Sequence, residues 1–246
     1  MATRDDVLRE LGLAPRWRLR ARDDPGAPAL DDAERSRGEP PRVASDEHAP
    51  ARAERIARLP FDGLVEDIER CRACSLGASR TCAVPGVGTL GATWMFVGEA
   101  PGAEEDARGE PFVGAAGKLL DNMLAALGLS RENDVFIANV LKCRPPGNRA
   151  PTPAEVDACR PYLDRQIELV SPSVIVALGK SAACTLLGVE APVGSLRRRV
   201  HRYTGRPLVV TYHPAYLLRT PADKAKAWED LLFARTTLRQ ARAAPS

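Results

Sequence analysis

Four short apolar runs, separated by stretches of helical periodicity, set the pattern of the chain from residue 61 onward. Each run is long enough for a strand but too short for a buried helix, which predicts strands buried on both faces. Helical spacing of apolar positions predicts helices over residues 115–127, 153–170, 180–187 and 221–239. The predicted strands cover residues 93–97 (TWMFV), 134–140 (DVFIANV), 173–178 (SVIVAL) and 207–211 (PLVVT).

Two of the predicted helices carry clear start signals. Thr152, Pro153 and Glu155 form a capping box with proline at the first helical position, and residues 220–223 (TPAD) nearly repeat it. Strands that alternate with helices predict an α/β fold whose parallel sheet is covered by helices on both faces. Ligands of such sheets bind beyond the carboxyl ends of the strands, so we expect the functional residues at that edge.

The first 60 residues have a different composition from the rest. They are rich in arginine, acidic residues and proline, and stretches such as DDPGAPALDDAERSRGEPPR show no lasting apolar period. This composition predicts a disordered or partner-binding extension over residues 1–60 and a folded domain over residues 61–246. The opening stretch MATRDDVLRELGLA is a candidate for a short amphipathic helix that docks on a protein partner.

The overall composition excludes some classes of protein. The chain has no run of about 18 apolar residues, and its first residues lack the apolar core of a secretion signal. We therefore expect a cytoplasmic monomer that does not enter the membrane. The net charge of +3 is too small to indicate a nucleic-acid partner by itself, so the location of the basic residues decides that question.

Chemically active side chains cluster where the predicted strands end. The stretch GEAPGAEEDARGEPF, residues 98–112, follows the first run and carries five carboxylates, of which Glu99, Glu104, Glu105 and Asp106 lie closest to the strand end. It is either an exposed acidic loop or part of a pocket that applies carboxylates to a substrate. Asn139 lies at the end of the second run, and Lys180, Ser181 and His213 follow the other two. The helix start at residues 179–181 is suited to holding a phosphate.

The cysteines form two pairs that suit a metal site. Cys71 and Cys74 form a C-x-x-C motif, and Cys143 and Cys159 stand further along the chain. Four thiolates hold either zinc or an iron-sulfur cluster, whereas unrelated thiols of a reducing compartment are the alternative. Cys82 is a weaker alternative ligand.

Basic residues concentrate in the stretch SLRRRVHRYTGR, residues 195–206, which contains no acidic residue. Its first three arginines, Arg197, Arg198 and Arg199, are candidates for contacts with a phosphate backbone. A solvated hairpin explains the same stretch equally well.

Five motifs in order carry a resemblance to a known family. They are GEAPGAEED, GEPFVGAAGKLLD, ANVLKCRPP, PTPAEVDACRPYL and HPAYLLR. Together with the four cysteine positions, they resemble family 4 of the uracil-DNA glycosylases, over roughly residues 64–239. The resemblance implies a three-layer α/β/α fold with a central four-stranded parallel sheet. It also implies an enzyme that flips uracil out of single- or double-stranded DNA, hydrolyses its glycosidic bond and leaves an abasic site.

The resemblance also implies roles in the base pocket. Phe112 is expected to stack on the uracil, Asn139 to bind its edge and His213 to stabilise the departing base. One of Glu99, Glu105 or Asp106 is expected to orient the attacking water or to offset the positive sugar, with Glu99 our first choice and Glu105 the second. Well-known uracil glycosylases have an aspartate at the position of Ala100, so we expect leaving-group stabilisation to dominate. The expected substrate-binding residues are Gly98, Ala100, Phe112 and Asn139.

DNA contacts and a cofactor follow from the same resemblance. Tyr216 and Leu217 match the loop that wedges into the duplex, and Lys180, Ser181 and residues 197–199 are expected to grip phosphates. Cys71, Cys74, Cys143 and Cys159 are expected to hold a 4Fe-4S cluster. The rival interpretation is a noncatalytic, metal-stabilised DNA-binding module that recruits repair or replication partners, which would not need Phe112, Asn139 and His213 together.

Overall fold

The computed structural model describes residues 49–243, with side chains over residues 50–240. The predictions for residues 1–48 therefore lie outside the described residues. Within the described part, no helix is long and apolar enough to cross a membrane. The helices are α1 Ala49–Ala57, α2 Phe61–Arg70, α3 Leu76–Ser79, α4 Ala103–Arg108, α5 Ala115–Ala126, α6 Pro153–Val170, α7 Lys180–Leu187, α8 Val193–Leu196, α9 Pro214–Arg219 and α10 Lys224–Ala243, with 3₁₀ turns at Pro146–Asn148 and Pro221–Asp223.

A single mixed sheet forms the centre of the domain. Its six strands lie in the order β1-β3-β2-β4-β6-β5. The four inner strands pair in parallel, and the two edge strands pair antiparallel to their neighbours. The strands are β1 Val87–Gly88, β2 Trp94–Gly98, β3 Val135–Asn139, β4 Val174–Leu178, β5 His201–Tyr203 and β6 Arg206–Thr211.

The predicted four-stranded, wholly parallel sheet is not confirmed, because the observed sheet has six strands and is mixed. The difference lies at the edges, where β1 and β5 are two and three residues long. Strands this short carry no measurable alternation of apolar and polar residues, so the pattern does not reveal them. The coarser prediction, an α/β fold, is confirmed.

Helices cover both faces of the sheet, as alternate residues of each inner strand show. On β2, Met95 and Val97 belong to a core formed with α6 and α7, whereas Trp94 and Phe96 belong to a core formed with α5 and α10. Successive strand side chains point to opposite faces, so each inner strand contributes to both cores. This explains why the inner strands are apolar at every position.

The start of α6 agrees with the predicted capping box. The Thr152 hydroxyl accepts a hydrogen bond from the Glu155 amide at 3.3 Å, and the Glu155 carboxylate accepts one from the Thr152 amide at 2.8 Å. Both bonds satisfy amides that the helix leaves without partners. The cap therefore fixes where α6 begins, which positions Cys159 six residues later.

The first two helices form a third, smaller core against α6. Ile56 of α1 and Leu64 and Ile68 of α2 are fully buried together with Tyr162 of α6. The guanidinium of Arg52 lies 4.8 Å from the centre of the Tyr162 ring. Helix α1 falls within the extension predicted for residues 1–60, and this part of that segment is helical and packed on the domain.

Candidate active site

A cavity of about 490 Å³ opens where the inner strands end, and we refer to it as the rim cavity. Segments distant in the sequence meet there: the loops after β2 and α4, the end of β3, the turn around residues 145–149 and the start of α9. The sequence-predicted residues that line it are Glu99, Ala100, Glu105, Phe112, Asn139, His213 and Tyr216.

Asn139, the last residue of β3, presents an unused acceptor to this cavity. Its side chain is 2% exposed. Among the buried side-chain atoms that the structure describes, only Asn139 Oδ1 lacks a hydrogen-bond partner. An unsatisfied buried acceptor costs about 1–3 kcal/mol, so such an atom is typical of a position that a ligand donor completes.

Only glycine fits at position 98, the last residue of β2, because two side chains pack closely against it. A Cβ at this position would lie 2.3 Å from Asn139 Oδ1 and 2.7 Å from Phe112 Cζ. Neither approach is compatible with van der Waals contact, so any larger residue would displace the ring or the amide. Gly98 therefore leaves the space that Asn139 and Phe112, two residues lining the rim cavity, occupy.

Hydrogen bonds from Arg131 hold Phe112 in an unusual backbone conformation. Its φ angle is 56°, which is uncommon for a bulky residue. The Arg131 guanidinium donates to the carbonyls of Phe112 and Pro111, and Arg131 Nε donates to Asp121 at 2.6 Å. Gly117 lets α5 approach, because a Cβ there would lie 1.6 Å from the Phe112 carbonyl oxygen. The ring is thus fixed in the cavity wall.

Glu105 belongs to this same support and is not free for catalysis, contrary to its prediction as the second catalytic choice. Its carboxylate accepts hydrogen bonds from the amides of Gly102, Val113 and Gly114 at 3.0–3.2 Å. Asp106 is buried and accepts from the Thr81 amide at 3.0 Å, so it is likewise structural. Glu105 holds the loop that carries Phe112, and Asp106 holds the segment before β1.

Glu99 is the carboxylate that remains available to the cavity. It follows β2 directly and is half-buried. Burial raises its pKa above the ordinary value, while a hydrogen bond with Ser181 lowers it. A carboxylate with one side-chain partner retains acceptor sites for a water molecule or for a cationic centre.

His213 faces the cavity as a neutral imidazole with a defined proton position. It is the N-cap of α9, and its Nδ1 accepts a hydrogen bond from the Ala215 amide at 3.1 Å. The proton of the neutral ring therefore lies on Nε2, which is a donor. Burial, followed by the charge of Arg219, lowers the pKa of His213 to about 4, although Glu105 raises it. Its ring stacks on Phe112 with centroids 5.6 Å apart.

A second cavity of about 670 Å³, the side cavity, shares Glu99 and His213 with the rim cavity. It contains the predicted phosphate-binding residues Lys180 and Ser181, at the start of α7. Lys180 is exposed and forms an ion pair with Glu190 at 3.0 Å, which water weakens. The predicted phosphate contacts therefore adjoin the rim cavity.

Arg197 does not behave as predicted for a phosphate contact. Its Nε lies 3.0 Å from the carboxylate of Asp230, which is fully buried, and its guanidinium lies 5.5 Å from the centre of the Tyr212 ring. A buried ion pair of this kind is structural, since breaking it would leave a charge unpaired in the core. Arg198 and Arg199 are exposed in the turn before β5.

Leu217 is also placed differently from its prediction as a duplex wedge. It is 1% exposed, whereas the next residue, Leu218, is 43% exposed. Helix α9 packs on α5, which turns Leu217 inward. Tyr216 lines the rim cavity, stacks on Tyr212 with centroids 5.2 Å apart and donates its hydroxyl proton to Asp223 at 2.6 Å.

The four paired cysteines meet around one small enclosed cavity, the cysteine cavity, which also borders Arg80, Lys142 and Tyr162. Cys71 and Cys74 follow α2, Cys143 follows β3 and Cys159 lies on α6; Cys82 does not line this cavity. Burial raises the pKa of the Cys143 thiol and raises that of Cys159 to about 12. Thiolates at this site therefore need a positive partner.

Positive groups surround the cysteine cavity and donate to its sulfur atoms. Arg80 Nη1 lies 2.9 Å from Cys143 Sγ, and Arg52 Nη2 lies 3.6 Å from Cys71 Sγ. The Lys142 amide donates to Cys159 Sγ at 3.3 Å. Within residues 50–240, no three Cys, His, Asp or Glu side chains are close enough to hold a single metal ion. The donors around the sulfur atoms suit a site that carries negative charge.

Several residues of the site escaped the sequence analysis. Pro145, Asn148 and Arg149 line the rim cavity from the 3₁₀ turn, and Arg219 lines it from α9. Their position directly after a strand end was a usable signal for the turn. Arg52 and Arg131 gave no such signal, because their partners lie in other elements.

Comparisons with known proteins agree with this geometry. A family model described as the uracil DNA glycosylase superfamily matches residues 85–232. A type-4 uracil-DNA glycosylase of Archaeoglobus fulgidus is 51% identical over 169 residues, covering 65% of this chain and 84% of the relative. Relatives with the same description from Thermotoga maritima and Pyrobaculum aerophilum are 42% and 47% identical, covering 71% and 70% of this chain and 93% and 92% of their own lengths.

Proposed function

This chain belongs to the uracil DNA glycosylase superfamily and, within it, to the type-4 uracil-DNA glycosylases, and we propose that it flips uracil out of DNA and hydrolyses its N-glycosidic bond. Water adds to C1′ of the deoxyribose, the bond to N1 of uracil breaks, and the electron pair leaves with the base. The product is an abasic site for later repair enzymes. A cytoplasmic, nucleoid-associated location and a monomeric state stay predictions.

The unused acceptor of Asn139 is the observation that carries this proposal. Uracil carries an N–H beside a carbonyl on the edge that pairs in DNA, and an amide offers the matching acceptor and donor. Cytosine has no proton at that ring nitrogen, so it would leave Asn139 Oδ1 unpaired. A buried polar group left without a partner gives strong discrimination between similar substrates.

His213 is suited to stabilising the departing base. Negative charge grows on the uracil oxygens as the bond breaks, and a neutral imidazole that donates from Nε2 stabilises this charge. The stacked ring of Phe112 provides the apolar face on which the flipped base lies. Glu99 is the remaining carboxylate for orienting water or offsetting the positive sugar.

We propose that Cys71, Cys74, Cys143 and Cys159 hold a 4Fe-4S cluster. All four cysteines line one cavity, and four cysteine thiolates are the usual ligand set of such a cluster. When bound, the cluster supplies cross-links between α2, the segment after β3 and α6. The charges of Arg52, Arg80 and Lys142 offset the negative charge of a ligated cluster.

The cluster assignment predicts a coloured protein. Protein purified without oxygen is expected to be brown and to contain about four iron atoms per chain, and Cys159→Ala is expected to lose most of the iron. Cys82→Ala is the matched control, because its thiol lies outside the cysteine cavity, and it is expected to keep parent iron content. Iron analysis and visible absorbance measure both. A colourless protein that binds one zinc ion would contradict the assignment.

The exposed side chain of Leu218 replaces Leu217 in our proposal for the duplex wedge. Leu218 is exposed on α9, two residues after Tyr216, which lines the rim cavity. An apolar side chain that enters the duplex fills the gap left by a flipped base and offsets part of the cost of unstacking. Leu218→Ala is expected to slow uracil excision from duplex DNA about tenfold and to leave excision from single strands unchanged.

Leu217→Ala is the matched comparison for this prediction. It removes a buried side chain, so it is expected to destabilise the fold by about 2–5 kcal/mol, whereas Leu218→Ala keeps the parent melting temperature. Thermal unfolding and excision from both substrates are measured together. If Leu217→Ala kept parent stability and lost only its activity on duplex DNA, Leu217 and not Leu218 would be the wedge.

The proposed reaction is tested with oligonucleotides that carry one uracil. Parent protein is expected to create alkali-labile sites at the uracil and none in the matched uracil-free strand. Tight binding of the uracil strand without abasic sites would instead select a noncatalytic DNA-binding module.

A further inference from the structure

A buried lysine joins the cysteine cavity to the residue that reads the base. Lys142 is 1% exposed, and its Nζ donates hydrogen bonds to the Asn139 carbonyl and to Gln166 Oε1, both at 2.6 Å. Lysine is almost never fully buried unless it is paired, because removing its charge from water is costly. The position of this ammonium group therefore needs a compensating charge.

That compensating charge comes from the cysteines. Lys142 borders the cysteine cavity beside Cys143 and Cys159, which would carry negative charge as ligands of the proposed cluster. Within the described part of the chain, no carboxylate forms an ion pair with Lys142. The Lys142 amide also donates to Cys159 Sγ at 3.3 Å. The backbone amide of Lys142 thus contacts a cysteine of the cysteine cavity, and its ammonium group contacts the backbone of Asn139.

The other partner of the ammonium is itself fixed. Gln166 is fully buried on α6, and its Nε2 donates to the Pro85 carbonyl at 2.6 Å. Lys142 therefore lies between an anchored acceptor and the carbonyl of Asn139, at the end of β3. The side chain of this same Asn139 presents the unused Oδ1 to the rim cavity.

We propose that Lys142 is a positioning residue: its ammonium group, balanced by the ligated cluster, fixes the end of β3 so that Asn139 is aligned to bind uracil. This inference rests on the proposed function and on the proposed cluster. It gives the cluster a specific influence on base recognition in addition to cross-linking the chain. Lys142 contacts the backbone of Asn139 and not the substrate, so it acts through another residue.

The test compares holoenzymes of the parent, Lys142→Met and the control Lys118→Met, which replaces an exposed lysine on α5. Methionine keeps the length of the side chain and removes its charge and its donors. The inhibition constant of free uracil is expected to rise at least tenfold in Lys142→Met, with affinity for uracil-free DNA unchanged. The reduction potential of its cluster, measured by redox titration with EPR detection, is expected to become more negative because a nearby cation is lost. Lys118→Met is expected to match the parent in every measurement.

Each outcome tests a different proposal. A parent protein that neither binds nor excises uracil would contradict the proposed function. A parent protein that contains no iron would contradict the proposed cluster. If the parent passes both, a Lys142→Met protein with parent uracil affinity or parent potential overturns only this inference. Where Lys142→Met does not fold, Gln166→Met takes its place, because it removes one anchor of the ammonium. Its uracil affinity is expected to fall, and parent affinity would overturn the inference equally.

Discussion

Asn139→Ala is expected to lower the single-turnover rate of uracil excision about thousandfold. The substitution removes the acceptor that completes the base edge, and sites built to pair a polar group lose the largest factors when that pairing fails. Affinity for uracil-free DNA is expected to stay at the parent value, because Asn139 is buried beneath the rim cavity. Rapid-quench kinetics and a DNA-binding titration measure the two quantities.

Asn122→Ala is the matched control for this variant. It makes the same chemical change on the exposed face of α5, so the rate is expected to match the parent. An Asn139→Ala protein that excises uracil within a few-fold of the parent would show that base recognition lies elsewhere.

His213→Ala is expected to lower the same rate about 100- to 1,000-fold, the effect of losing one preorganised donor to a developing anion. DNA binding is expected to persist, because the donor acts on the departing base. His201→Ala is the control, since that histidine bonds to the Leu196 carbonyl in the β5 segment and not to the rim cavity. The single-turnover rates of uracil excision by both variants test the role of His213. If both rates fell equally, the effect would come from impaired folding and not from a lost donor.

The acid side of the pH profile separates His213 from Glu99. Because the pKa of His213 is lowered to about 4, its neutral form persists well below the pH at which an ordinary histidine gains a proton. From about pH 8 to about pH 5, the rate is therefore not expected to fall through His213. The pKa of Glu99 is raised, so its carboxylate is lost at a higher pH than that of an ordinary glutamate. Glu99→Gln is expected to excise uracil more slowly than the parent, and its rate is expected no longer to fall at acid pH. If the rate of Glu99→Gln fell at acid pH as the parent rate does, the role of Glu99 would be contradicted.

The inner part of the fold could be predicted from the sequence because each element there has a strong local signal. The runs that became β2, β3, β4 and β6 are apolar at nearly every position, since helices cover both faces of the sheet. The start of α6 followed from its capping box. Asn139 and His213 followed from their positions after strand ends, where parallel sheets expose polar groups.

The edges of the fold gave no comparable signal. The stretch GVGTLG, residues 86–91, shows no apolar run, yet β1 Val87–Gly88 lies within it and is held by pairing with β3. Helix α1 lies in a segment whose composition predicts an extension, and its packing on α6 depends on a few buried side chains such as Ile56. Both elements form through tertiary contacts that local composition does not encode.

Side-chain contacts within the fold explain the remaining differences between the predicted and the observed roles of residues. The sequence shows Arg197 within a basic stretch, but its partner Asp230 lies 33 residues away on α10. Leu217 and Leu218 are identical residues next to each other, and only the packing of α9 on α5 decides which one is buried. Glu105 stands in a row of carboxylates, but the fold of its own loop directs backbone amides at it.

The most direct test of the account is the inhibition of excision by three free bases: uracil, 1-methyluracil and 3-methyluracil. If Asn139 Oδ1 accepts the N3–H of the flipped base, uracil and 1-methyluracil inhibit the enzyme, whereas 3-methyluracil, which lacks that proton, does not. The methyl group of 1-methyluracil occupies the position of the sugar and is therefore tolerated. Inhibition by 3-methyluracil equal to that by uracil would contradict the account.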